Sequence, residues 1–212
     1  MSPAKKTQSN GFIPAIVSEG HPALRAISEE IPLSEISSAK IQNLIADMKK
    51  ALASQEDGIG LAAPQIGVPL RIFIVSKKIF SSHGPSSEQE SENDTTKSSA
   101  KSAKIDDLVF INPVLTKESK EKKWMEGEGC LSVRWVYGKV RRSTKVTIRA
   151  YDENGRVFER GAGGLLAHIF QHEVDHLNGL LFIDKAKDIE EVDPKEVKAH
   201  SKKTNKPKES KK

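Results

Sequence analysis

The sequence predicts an α+β domain in which mostly antiparallel β-sheets pack around a central, buried helix bearing a His-Glu-x-x-His pattern. Three observations lead there. Residues 164–177 follow a helical pattern that is apolar on most sides, with Leu165, Leu166, Ile169, Phe170, Val174 and Leu177, the composition of a buried helix. Residues 144–151 alternate with period two and are followed by Asn154-Gly155 and a second short strand at 156–159, a hairpin signal. Residues 38–54 place Ile41, Leu44, Ile45, Met48 and Leu52 on one helical stripe, so this helix has a single face to bury.

In chain order, residues 1–10 are polar, contain Lys5 and Lys6, and lack the apolar stretch of a secretory signal. They are expected to be disordered, and the folded domain is expected over 11–193. The helix at 38–54 has Ser37 or Ser38 as its N-cap. Strands rich in Ile, Val and Phe are expected at 70–75 and 107–115. Between them, residues 81–104 hold no apolar side chain larger than alanine apart from Pro85. They cannot bury enough surface to offset the entropy of ordering and predict a flexible insertion. Glycines 161, 163 and 164 predict a loose entry into the last helix, and Asn178-Gly179 predicts its stop. Residues 194–212 hold eight lysines against two glutamates, a solvated, disordered tail by composition.

The formal charge of +5 is misleading as a whole-chain figure. The tail carries +6 and the first ten residues +2, so the body carries −3. Nucleic acid is therefore a docking surface for the ends at most, reached without sequence preference and in a salt-dependent way. No aromatic residues interleave the tail lysines, so base stacking is not expected. No apolar run approaches the roughly 18 residues of a membrane span. The single cysteine, Cys130, excludes an intrachain disulfide, and a reducing, cytoplasmic setting is expected.

The chemistry concentrates in Gln171-His172-Glu173-Val174-Asp175-His176. His172 and His176 are four apart, so both imidazoles leave one face of the helix and can grip one ion. Glu173 stands where its carboxylate reaches a water at that ion. Burying such groups without partners is costly, and ligation removes the cost. A catalytic centre needs a third protein ligand and an open position. Cys130, in Glu128-Gly129-Cys130-Leu131-Ser132, is a natural third, since a thiolate suits zinc or ferrous iron. The competing readings are chance His and Glu on a surface helix, and a cysteine that is only a small buried hydrophobe.

Gly58-Ile59-Gly60-Leu61-Ala62-Ala63-Pro64-Gln65, then Glu128 to Ser132, then Gln171 to Leu177 resemble, in order, the three signature motifs of the peptide deformylases. Weaker similarity extends over residues 16–184. The resemblance implies a metal-dependent hydrolase that removes the formyl group from the N-terminal formyl-methionine of new polypeptides and releases formate. It implies Cys130, His172 and His176 as metal ligands and Glu173 as the residue that takes a proton from water and returns it to the leaving amine. Gln65, through its amide, and Leu131, through its backbone N–H, would stabilise the oxyanion. Ile59, Gly60, Gly129 and His168 would contact substrate, with His168 lining the methionine pocket.

A fourth ligand at His168 would close the water position and is rejected on that ground. Arg142 and Asp175 are expected either to support the ligands or to lie solvated. The chain departs from the family where Val133-Arg134-Trp135-Val136-Tyr137 replaces a proline-containing stretch, and in the length of its insertion. One divalent ion per chain is expected: Fe²⁺ as the native metal by resemblance, with Zn²⁺, Ni²⁺ or Co²⁺ compatible with two imidazoles and a thiolate. The expected partners are N-formylmethionyl nascent peptides and, through the basic tail, the ribosome; no nucleic-acid sequence and no membrane is expected. A zinc peptidase would share His-Glu-x-x-His but usually takes its third ligand downstream, whereas Cys130 lies upstream of His172. A catalytically silent relative would have lost the base or a ligand, and all are present here.

Overall fold

The computed structural model describes residues 13–81 and 106–194. The expected insertion (apart from Ser81), residues 1–10 and the tail beyond Pro194 lie outside the described residues. Among the described residues, eight strands build two antiparallel sheets. The five-stranded sheet has the order β1 (Gly60–Ala62), β2 (Ile72–Val75), β3 (Leu108–Glu118), β6 (Lys145–Tyr151), β7 (Val157–Gly163). The three-stranded sheet is β4 (Lys122–Cys130), β5 (Val133–Ser143) and β8 (Lys187–Glu191). The α-helices among the described residues are α1 (Ala39–Ala53), the short α2 (Lys78–Ser81) and α3 (Gly164–Leu177).

The larger sheet is covered on both faces, which explains the unbroken apolar run of β2. Ile72 and Ile74 pack with Ile41, Ile45, Met48 and Leu52 of α1. Phe73 and Val75, pointing the other way, pack with Ile169, Phe170 and Val174 of α3. Phe110 of β3 anchors this second layer, stacked on Phe73 at 4.5 Å and edge-on to Phe170 at 4.9 Å. Ser38 caps α1, its hydroxyl accepting from the Ile41 N–H at 3.3 Å, as the sequence predicts.

α3 also touches β5 of the smaller sheet. Gln171 makes that contact rigid: its Oε1 accepts from Ser143 N at 2.9 Å, and its Nε2 donates to Ser143 O and Ala167 O at 3.0 and 2.9 Å. A buried amide with donors and acceptor all engaged fixes both rotation and translation of the helix against β5. The imidazoles one and five residues further along are thereby aimed.

β4, β5 and β8 are not legible from periodicity. β4 is mostly exposed and β8 wholly so, and ladder hydrogen bonds rather than an apolar face hold these two, whereas β5 buries Val133 and Val140 against Leu24, Leu181 and Phe182. The strand expected at 107–115 continues to Glu118, and the one at 156–159 to Gly163. Glycines 161 and 163 are therefore not a loose entry. They sit in register opposite Thr147 and Lys145 of β6, and β7 passes directly into α3. Among the described residues no helix is long and apolar enough to cross a membrane.

Candidate metal centre

The end of β4 delivers Cys130 and α3 delivers His172 and His176, and one ligand atom from each lies within 4.8 Å of the other two. Cys130 Sγ is 3.3 Å from His176 Nε2. The two imidazoles stand edge to face with centroids 4.9 Å apart, the arrangement expected of histidines one turn apart on a helix. His176 is 1% exposed and its Nδ1 has no hydrogen-bond partner.

Charge around the cluster is set by burial. Burial pushes the Cys130 thiol up to about 12, with the Glu173 and Glu128 carboxylates adding to the rise against backbone hydrogen bonds from Ser132 and Val133. Burial, with the neighbouring His172 and Arg142, holds His176 well below the usual imidazole range, so its ring is neutral and carries a lone pair. Burial and the Glu128 charge raise Glu173 well above the ordinary carboxylate range. Glu173 is 3% exposed and its Oε2 has no partner. A thiol that ionises only beside a cation, a neutral imidazole and a buried unpartnered carboxylate fit a bound divalent ion.

Glu128 organises the surroundings. Burial alone would raise its pKa, but hydrogen bonds with His168, His172 and Arg142 outweigh that and hold it far below the usual range. Its Oε1 pairs with His172 Nδ1 at 2.7 Å and its Oε2 with His168 Nε2 at 2.5 Å. Arg142 Nε donates to Glu128 Oε2 at 3.1 Å, and its Nη2 donates to Oε1. Arg142 Nη1 reaches Asp175 Oδ2 at 2.6 Å, and Lys185 Nζ closes the chain on Asp175 Oδ1 at 2.6 Å. Arg142 and Asp175 are thus buried support and not solvated surface. A histidine whose Nδ1 is engaged by a carboxylate presents Nε2 to an ion with its ring orientation fixed. Nothing in the sequence pattern alone gives Glu128 this role; its one signal is a carboxylate between two glycines, two residues before the cysteine.

Gln65 is buried beside the cluster. Its Oε1 accepts from Ala62 N at 2.8 Å, which assigns the amide, and its Nε2 faces Cys130 Sγ and Ser132 Oγ, both at 3.5 Å. A cleft of about 400 Å³ opens over Cys130, His172 and Glu173. Ile59, Gly60, Gly129, Leu131 and His168 line it, while His176 lies behind. His168 is not part of the three-residue cluster. Arg134, Trp135 and Tyr137 also line the cleft; the sequence marks them only as part of a stretch that departs from the family, because nothing in local periodicity marks a residue as facing a cleft.

Gly60 and Gly129 of the cleft are among the glycines required by close approach. A Cβ on Gly60 would stand 2.3 Å from Glu173 Oε1, and one on Gly129 would stand 2.8 Å from the Tyr137 ring. Gly60→Ala is therefore expected to displace Glu173 and lower kcat about 100-fold, the scale of a roughly 1 Å misplacement. Steady-state kinetics checks this, and a far-ultraviolet circular dichroism spectrum unlike the parent's would trace the loss to folding instead.

A sequence profile described as polypeptide deformylase matches residues 13–192. The chain is 41% identical over 177 residues to a chloroplastic and mitochondrial peptide deformylase 1A of Arabidopsis thaliana, an alignment covering 82% of this chain and 61% of that protein. It is 39% identical over 170 residues to a peptide deformylase of Flavobacterium psychrophilum, covering 80% of each. A peptide deformylase of Synechococcus elongatus solved with actinonin superposes with a TM-score of 0.65 at 31% identity, over 88% of this chain and 85% of the other. A class I type b peptide deformylase of Acinetobacter baumannii solved with Met-Ala-Ser gives 0.67 at 27% identity, over 83% and 99%. The chain thus spans less than two thirds of the Arabidopsis relative and most of the bacterial ones.

Proposed function

Because this chain belongs to the polypeptide deformylase family, we propose that it is a metal-dependent hydrolase that removes the N-formyl group from the N-terminal methionine of newly made polypeptides and releases formate. The observation carrying the proposal is the Cys130, His172 and His176 cluster beside buried Glu173, whose Oε2 is unpartnered, at the floor of a cleft. These three residues would hold one divalent ion. When bound, that ion supplies Lewis acidity for the formyl carbonyl and lowers the pKa of water.

The remaining work falls to the chain. Glu173 takes a proton from the attacking water at Oε2 and delivers it to the amine nitrogen as the C–N bond breaks. A buried carboxylate with a raised pKa suits both halves of that exchange. Gln65 is held by Ala62 so that its Nε2 donates toward the oxyanion, assisted by the Leu131 N–H; each such donor is worth about 3 kcal/mol of barrier. Ile59, Gly60 and Gly129 line the path of the substrate backbone, and His168, tied to Glu128, borders the methionine side chain.

The native ion is proposed to be Fe²⁺, with Zn²⁺, Ni²⁺ or Co²⁺ as substitutes in the same donor set. A cytoplasmic site of action accords with the lone cysteine. Docking on ribosomal RNA by the lysine tail follows from its charge of +6, although the tail lies outside the described residues. Anaerobically purified, Fe²⁺-loaded protein is expected to release formate from formyl-Met-Ala-Ser. No formate release above buffer would refute the assignment.

A further inference from the structure

β5 leaves the β4 ladder beside the cluster. Gly129 pairs with Tyr137 and Cys130 with Val133, so Arg134, Trp135 and Val136 are an excess of three residues on β5. Trp135 takes φ +66°, a left-handed conformation that is strained for a bulky residue and persists only where the surroundings impose it. Here they do: its carbonyl accepts from Val192 N at 2.8 Å, and Val136 pairs with Glu191 of β8.

The bulge throws Arg134 onto the cleft wall. Its guanidinium lies 5.6 Å from the Trp135 ring centroid, a cation–π distance. Its Nη1 donates to Asp57 Oδ2 at 2.7 Å and its Nη2 to Gln55 Oε1 at 2.6 Å. Asp57 and Arg134 both line the cleft and come from different segments of the chain. Asp57 stands three residues before Gly60, whose Cα lies against Glu173. Arg134 stands four residues after Cys130. At roughly 3.3 Å per extended residue, the clasp lies at most about 10 Å along the wall from Gly60, some three residues of an extended peptide.

Arginine carries five N–H donors in a fixed fork, and two are spent on Asp57 and Gln55. The Arg134 side chain remains 31% exposed, so donors are open to a ligand. Its charge is balanced by Asp57, so the clasp does not repel basic peptides. A backbone carbonyl is the acceptor every peptide offers whatever its sequence. Taking its substrate class from the deformylase reading, we propose that Arg134, steadied by Asp57, Gln55 and Trp135, is a substrate-binding residue that grips the peptide backbone near the third residue and makes longer N-termini better ligands than dipeptides.

The test is calorimetric titration of the full-length, Zn²⁺-loaded protein with C-terminally amidated Met-Ala and Met-Ala-Ser, alongside formate release from their formylated forms. The parent is expected to bind the tripeptide about 10-fold more tightly than the dipeptide, the yield of one charge-assisted hydrogen bond. In Arg134→Ala that ratio is expected to fall to about 1 to 2, and also in Arg134→Lys, which keeps the charge but loses the fork. Asp57→Asn is expected to give a ratio in between. A ratio unchanged in Arg134→Ala would overturn the clasp. A parent that shows the binding ratio but releases no formate would overturn the deformylase reading and leave the clasp standing.

Discussion

Replacing Glu173 by glutamine is expected to lower kcat by about 100- to 10,000-fold, the range ascribed to a positioned general acid–base group, with the melting temperature equal to or above the parent's. The two halves of this expectation have one origin. Glu173 is buried and its Oε2 has no hydrogen-bond partner, so the protein bears the cost of a buried polar group that stabilises nothing around it. Glutamine keeps the shape against Gly60 and removes the ability to take and return a proton. Formate release and differential scanning calorimetry, run side by side, check both. A variant that loses activity together with several degrees of melting temperature would make Glu173 a structural residue; one that retains most of its kcat would remove it from proton transfer.

The second large effect belongs to Glu128, which acts through the side chains it holds. Glu128→Ala is expected to destabilise the protein by about 3–5 kcal/mol, because Arg142 would remain buried after losing its bidentate partner. The same change frees the His172 Nδ1 and His168 Nε2 contacts. Metal affinity is therefore expected to fall by about 10- to 100-fold, the usual consequence of deleting a carboxylate behind a ligating imidazole. Denaturant unfolding reads the first number and competition with a chelator reads the second. Glu128→Gln separates them: it retains an oxygen for one neighbour and the side-chain volume, so stability is expected to recover more than affinity. Wild-type values for both quantities in Glu128→Ala would show that the network does not support the cluster.

These expectations differ in how far they are legible from sequence. Glu173 and the donors around it lie in short motifs, His172 and His176 one helical turn apart and Cys130 in a five-residue run, because local geometry demands that spacing. The α1 stripe, the Ser38 cap and the buried β2 run are equally local, and periodicity exposes them. The Glu128 network is not local: Arg142 is 14 residues away and His172 is 44. Nor is the Arg134–Asp57 clasp, separated by 77 residues. β4 and β8 were missed because strands without a buried face leave no alternation to read.

The sequence by itself thus determined which candidate side chains fall in short motifs and where α1, α3, β2, β3 and the β6–β7 hairpin would form, since both follow from residue type and short-range spacing. Only the tertiary structure decided how they meet. Gln171 locks α3 onto β5, Glu128 joins two histidines to a buried arginine, and the β5 bulge brings Arg134 to the cleft and to Asp57. Each is a pairing between distant segments, stabilised by burial and hydrogen bonds that come into being only when two sheets and a helix pack together.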